Sequence, residues 1–288
     1  MANDVKRATG LLVIEVVNSN PNGDPDRESD PRQRTNGLGE ISPVSFKRKM
    51  RDLLEDHDGL FFKSLPEEFV NNPDNYCILE HRGRNRKEIE KEMNSEKDFL
   101  KSTFVQKYWD ARVFGNTFLE KGGDKGFIKT GVVQFGMGMS IAPINIIRQT
   151  NTNKAGVQEG KNAGMAPLGY RIVEHGVYVM PFFVNPNYAA KTGCTAKDIE
   201  LLKLLIPHAY EQNRSAIRPD VRIRHAWYIE HKTLLGSCPE YLLIEALTPK
   251  KRDNSMDAST AWADYDVPTD LPEELRSKVA SFVDLVNT

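Results

Sequence analysis

Two neighbouring stretches hold many of the residues able to bind an anion. The first, Asn18-Ser19-Asn20-Pro21-Asn22-Gly23-Asp24-Pro25-Asp26, sets amide and carboxylate side chains among turn formers. Asn and Asp imitate backbone hydrogen bonds in tight turns, while Pro and Gly set the dihedral angles. A rigid structural turn is one reading. The other is a loop whose side chains and amides meet the sugars or phosphates of a ligand. Asp24, Asp26 and Asp30 also offer carboxylates to a divalent cation, but they lack EF-hand spacing, so no metal or other cofactor is expected.

The second stretch is Ser45-Phe46-Lys47-Arg48-Lys49-Met50-Arg51. At 100° per residue, Phe46, Met50, Leu53 and Leu54 share one helix face and Lys47, Arg48 and Arg51 the opposite side. Like charges at these spacings cost about 0.2–0.5 kcal/mol per pair, which an anionic partner would relieve. With Arg27, Arg32 and Arg34, the span 27–51 has seven bases against Glu28, Asp30 and Glu40. A solvated charged face is the competing reading.

A further basic stretch holds Arg214, Arg218, Arg222, Arg224, His225, His231 and Lys232. It fits either a phosphate-contacting edge or an edge strand guarded by charge. Tyr108 to Gly115 mixes aromatics with Asp110 and Arg112. Base stacking is worth about 1–3 kcal/mol per base, yet burial of Trp109 and Phe114, with Asp110 pairing Arg112 or a neighbouring segment, is the favoured reading. There is no GxxxxGK[ST], HExxH or GxSxG motif and no paired Cys/His spacing. His57 has no visible catalytic partner, and Cys77 with His81 is a lone C-x3-H.

The elements that position these residues follow from pattern. Leu11 to Val17 reads as a buried strand ending at the turn-rich loop. Ser42 and Pro43 are an N-cap and first-turn pair opening the basic helix. From Phe127 to Ile147 the period is two, with Val133, Phe135, Met137, Met139 and Ile141 on the core side and Gln134, Gly136, Gly138 and Ser140 on a small-residue side. Arg148 to Arg171 reads as a hairpin or arm, and Gly176 to Val184 as a strand that Pro181 marks as an edge or bulge. Thr195 with Asp198 forms a capping box, and Pro207 closes or kinks the helix that follows. Val221 to His231 and Tyr241 to Leu247 read as strands. The order fits an α+β fold: a ferredoxin-like βαββαβ core with long insertions.

The 288 residues carry a formal charge of −1, against the usual footprint of a nucleic-acid binder. That sum hides an asymmetry. Residues 253–288 hold eight acids and two bases, whereas residues 1–252 hold 37 bases and 32 acids. The acidic segment is expected to face the exterior or a neighbouring molecule. Three widely spaced cysteines and an N-terminus without an apolar run point to a cytoplasmic protein without a membrane partner.

At NSNPNGDPD followed by SFKRKMR, the sequence resembles the backbone subunit of type I CRISPR surveillance (Cascade) complexes, the Cas seven family, in the branch found in type I-C and I-B systems. The resemblance continues through Asp110–Gly115, Gly131–Phe135, His175–Tyr178 and Arg214–Ala216, covering most of the chain in order. It implies a hand: an RRM-like palm over residues 1–59, 109–147 and 172–252, an inserted helical region at 60–108, a β-hairpin thumb at 148–171, and the acidic segment 253–288. It implies as partners a guide RNA, the target DNA strand paired to it, further copies head to tail, and other Cascade subunits. By match, Ser45, Lys47, Arg48 and Arg51 contact guide phosphates, and Asn20 and Asn22 line the same groove. Arg27, Arg112, Gln134, Arg148, Arg214 and Arg218 complete the RNA-binding set, with Met165 the candidate base-displacing residue of the thumb. The RNP1 aromatic pattern is missing, so contact with the RNA backbone is expected, not stacking on the sheet. Two other readings stand beside this one: a metal-dependent RNA-cleaving subunit of type III kind using Asp24 or Asp26, and a generic RRM-like module.

Overall fold

The structure is a computed structural model; it describes residues 4–81, 87, 103–115, 130–154, 165–253, 255 and 257–287, with backbone alone at 104, 151–154 and 165–168. Its centre is strand β1 (Ala8–Ser19), in which every residue from Ala8 to Val16 is buried. A run as apolar as LLVIEVV is what a strand covered on both faces requires. Around it lie β2 (Leu38–Ile41), β3 (Val133–Phe135), β4 (Gly138–Pro143), β5 (Ile146–Lys154), β6 (Met165–Val184), β7 (Val221–His231) and β8 (Val279–Asp284). The main path of this antiparallel sheet is β8-β7-β1-β6-β4-β2, with β3 and β5 also paired to β6. Four helices matter for the site: α1 (Pro43–Leu54), α2 (Trp109–Phe114), α3 (Ala196–Leu205) and α4 (Glu240–Leu247).

Each sheet face has its own core. Leu12, Ile14 and Val16 of β1 belong with Phe46 and Met50 of α1 and Leu201, Leu202 and Leu205 of α3. Leu11 and Val13 point the other way, into a second core with Trp227, Leu243, Leu247, Tyr265, Leu271 and Val279. Residues beyond 253 are therefore not a detached acidic tail, since they supply a sheet strand and part of a core. Their apolar positions alternate with exposed acids, which masks them in a charge count.

The caps are as expected. The Ser42 hydroxyl accepts from the Ser45 amide at 3.2 Å, and Thr195 and Asp198 cap each other's amides. Two expectations fail. Tyr241–Leu247 is helical, because Leu243 and Leu247, one turn apart, both reach the second core. The period-two run breaks at Gly136–Met137 and then reverses, so Gly138, Ser140 and Ala142 turn inward. Pro181, on the long β6, accepts from the Gly136 amide at 2.7 Å, and its own nitrogen on that edge has no hydrogen to return. The ladder is interrupted there, so β3 and β4 are separate strands. Pro181 thus sits inside the sheet, and the irregularity falls on its neighbours.

Candidate nucleic-acid interface

The loop after β1 is fastened to itself and to three other segments. The buried Asn20 donates through Nδ2 to the carbonyls of Ser29 at 2.8 Å and Arg171 at 3.0 Å, and its amide donates to Ile217 O at 2.7 Å. Arg218 Nε donates to Asn20 O at 3.0 Å. Asn22 Oδ1 accepts from the Ser42 amide at 2.7 Å, and Asn213 Nδ2 donates to Lys49 O at 3.0 Å, tying the loop and residues 211–220 to the start and middle of α1. Every non-glycine residue with positive φ among those described falls in this loop or at the end of β1 that leads into it: Asn18 at 42°, Glu28 at 51° and Ser29 at 66°. Such conformations persist only where the surroundings hold them, and they cluster at functional sites.

The antiparallel arms β5 and β6 form a hairpin from Ile146 opposite Val173 to Lys154 opposite Met165. Its base is bound to the same loop. Asp30 accepts from Arg148 Nε at 3.0 Å and Arg171 Nη1 at 3.1 Å, and Arg171 also pairs with Glu28. The Arg148 guanidinium, helped by Arg171, holds the Asp30 carboxyl below its usual range against the opposing effect of burial. Residues 155–164, and the side chain of Met165, lie outside the described residues.

Several cations remain at this edge. Arg27 and Arg214 are exposed, with no carboxylate at ion-pair distance among the described residues. Arg218 is half-buried, and the Arg148 side chain stays 60% exposed despite its pairing. Ser45 lies half-buried in the first turn of α1. Asp24 accepts from the Asp26 amide at 3.2 Å and lies 3.6 Å from Arg32, so its geometry is that of a turn cap. Asp26 is exposed, and among the described residues no three His, Cys, Asp or Glu side chains are grouped to hold a metal ion.

The basic side of α1 turns out to be covered. Arg51 is 4% exposed and pairs with Asp110 at 2.8 Å and Glu80 at 3.0 Å. Arg48 pairs with Asp52 at 2.6 Å and with Glu55. Arg112 is buried against Asp198, with bonds of 2.7 and 3.1 Å, and donates to the carbonyls of Val105 and Asn75. These three arginines, all expected to contact phosphate or RNA, are thus engaged in ion pairs within the protein. Lys47 is different. Its Nζ lies 5.2 Å from the Phe114 ring centroid, no carboxylate is at ion-pair distance among the described residues, and burial with Arg51 nearby pushes its pKa down. Gln134 donates to Gly131 O at 3.2 Å from β3, away from the loop cluster. Sequence reasoning offered Asp30 only as a carboxylate for a cation and missed its pairing with Arg148 and Arg171. No local spacing marks them, since Asp30 and Arg171 lie 141 positions apart.

The model of the family described as CRISPR-associated protein Cas7 matches residues 6–270. The chain belongs to that family. Known chains of CRISPR complexes resemble it in structure. One, from a "CRISPR RNA-guided surveillance complex, pre-nicking", gives a TM-score of 0.44 at 12% identity over 78% of both chains. A second, from a "CRISPR RNA-guided surveillance complex", gives 0.39 at 12% identity over 77% of this chain and 69% of that one. A third, from a type III-B Cmr-beta complex bound to cognate target RNA, gives 0.44 at 11% identity over 78% and 61%. No curated protein sequence matches. Among the described residues of this Cas7 family member, no helix is long and apolar enough to cross a membrane.

Proposed function

We propose that the chain is a non-catalytic backbone subunit of a type I CRISPR surveillance complex in the cytoplasm. Copies line up head to tail on a guide RNA, hold its sugar-phosphate backbone, and leave the bases to pair with target DNA beside the other Cascade subunits. The family match over residues 6–270 carries this reading. The chain order β1, α1, β4, β6, α3, β7 with sheet order β7-β1-β6-β4 supports taking these elements as the ferredoxin-like palm. The hairpin 146–173 serves as the thumb and residues 60–108 as the inserted finger.

A subunit that must accept any guide needs contacts blind to sequence. Arg27, Arg214 and Arg218 beside the strained loop suit that need. The sheet's second face, where an RRM stacks bases, is filled by Trp227, α4 and the C-terminal segment, which favours backbone contacts as the mode of binding. The type I branch rests on the NPNGDPD loop and the helix after Ser45.

The test is co-expression with a repeat array, purification, and sequencing of the bound RNA. Protected RNA of defined length, released steeply by salt, is the expected result. A monomer free of RNA under these conditions overturns the reading.

A further inference from the structure

Two carboxylates of opposite character hold Arg171. Asp30 accepts from Nη1 at 3.1 Å, and its side chain is only 10% exposed. Glu28 accepts from Nη2, and its side chain is 79% exposed. The Asp30 bond belongs to the framework, since the same carboxylate binds Arg148 from the other arm of the hairpin. Asn20 adds to that framework. Its Nδ2 donates to the carbonyl of Arg171 and to that of Ser29, the neighbour of Glu28. The hairpin is thus joined to the loop without help from the Glu28 side chain.

Glu28 is also held in a strained conformation. Its φ of 51° and ψ of 33° are left-handed, a region disfavoured for a residue with a Cβ, and Ser29 follows it at 66°. An exposed ion pair does little to offset such strain, because water screens it. The contact is therefore readily exchanged. The carboxylates on Arg48 differ in this respect, their side chains being 14% and 18% exposed.

The group that Glu28 covers suits a nucleic-acid phosphate. Guanidinium N–H groups donate to phosphate oxygens in the same geometry as to carboxylate oxygens. Arg148 stands directly opposite Arg171 in the hairpin, and like charges so placed repel. Once Glu28 swings aside, the two guanidinium groups share the single carboxylate of Asp30 among the described residues. A phosphodiester, with one negative charge and two unbridged oxygens, would neutralise the surplus. Arg27, next to Glu28 in the chain, is exposed beside it. We propose that Glu28 holds the place of a guide-RNA phosphate on Arg171, and that RNA binding exchanges the carboxylate for the phosphodiester. This deepens the reading above and rests on it for the identity of the anion.

The exchange is tested by affinity for an RNA spanning one copy. Glu28→Gln should tighten binding about two- to fivefold, the range that an exposed ion pair is worth. Arg171→Ala should weaken binding, and in that background the gain from Glu28→Gln should shrink by at least half. Arg171→Lys keeps a charge for Asp30 without the fork, so it should shrink the gain likewise and serves where Arg171→Ala folds poorly. Unchanged or weaker binding by Glu28→Gln overturns the proposal. So does a gain that shrinks by less than half without Arg171, which marks plain repulsion between Glu28 and RNA. If the wild type binds no RNA, the guide-RNA reading falls, and tripolyphosphate, followed by calorimetry, becomes the probe. Tighter binding in Glu28→Gln that depends on Arg171 then upholds the anion site, and absence of binding or of that dependence overturns it.

Discussion

Asp30 grips Arg148 through both carboxylate oxygens, and the same carboxylate takes Arg171 from the other arm of the hairpin. One loop residue thus joins both arms of the β-hairpin at its base. Asp30→Ala should speed amide exchange at 146–150 and 170–173 and leave exchange in β1 unchanged. Because the Arg148 and Arg171 guanidinium groups depress the folded pKa of Asp30, the contact is intact at neutral pH and is lost only as pH falls through that depressed value. The wild-type protection pattern should therefore be the same at pH 5 and pH 7, once intrinsic rates are allowed for.

Arg112 separates framework from function. Removing one partner of a buried ion pair costs about 3–5 kcal/mol, because the other charge is stranded. Arg112→Ala should lose stability of that order in denaturant titration, and Arg112→Lys should recover little, since lysine cannot reproduce the fork on Asp198. RNA affinity of the folded fraction should not change. Normal stability with weakened RNA binding would return Arg112 to the phosphate contacts.

What the sequence disclosed was local. Ser42 with Pro43, and Thr195 with Asp198, are legible because a cap is satisfied within three residues. The basic side of α1 is legible only in part: Arg48 meets Asp52 four residues on, but Arg51 meets an acid 59 positions away. Tyr241–Leu247 misleads for a related reason. A short apolar run has no period of its own, and the core it faces is gathered from Leu11, Val13 and Val177 as well as from residues 227–279. The loop after β1 announces itself by composition, yet its anchorage on Asp30 arises only from the hairpin folded against it.

Arg27 and Arg214 can be told from Arg48 by salt. Each phosphate contact to single-stranded RNA contributes about 0.7 to the slope of log affinity against log salt. Arg27→Ala and Arg214→Ala should each weaken binding alike for all sequences and flatten that slope by about this amount. Arg48→Ala should lower stability and leave the slope alone, its guanidinium being occupied by Asp52 and Glu55.

Asp24 and Asp26 test the catalytic alternative. With magnesium and a complementary RNA, the wild-type protein should leave that RNA intact. Asp24→Ala should loosen the turn through loss of the Asp26 amide bond and the Arg32 pairing. Cleavage by the wild type that disappears in both Asp24→Ala and Asp26→Ala would instead assign the chain to the RNA-cutting kind of subunit.

Deleting residues 267–288 distinguishes an exterior acidic tail from a structural segment. A tail could go without effect on RNA binding or assembly. The structure requires otherwise. The cut removes Leu271 and Val279, both buried, together with β8, which pairs with β7 from His231 to Trp227. Each buried apolar side chain contributes about 1.5–3 kcal/mol, against a total stability of about 5–15 kcal/mol for a typical domain. With a ladder of backbone bonds also lost and β7 left as an open edge, the truncated chain should aggregate and not purify as a folded monomer. Asp284→Ala is the milder control. It removes the acceptor for His225 and for the amides of Ala226 and Val286, so the protein should fold with a lowered melting temperature. Burial opposes the Asp284 charge, but the His225 bond and those amides hold its pKa below the ordinary range. Its contribution is therefore complete at neutral pH and disappears as pH falls through the depressed value. The melting temperatures of Asp284→Ala and wild type should accordingly differ at pH 7 and converge in acid.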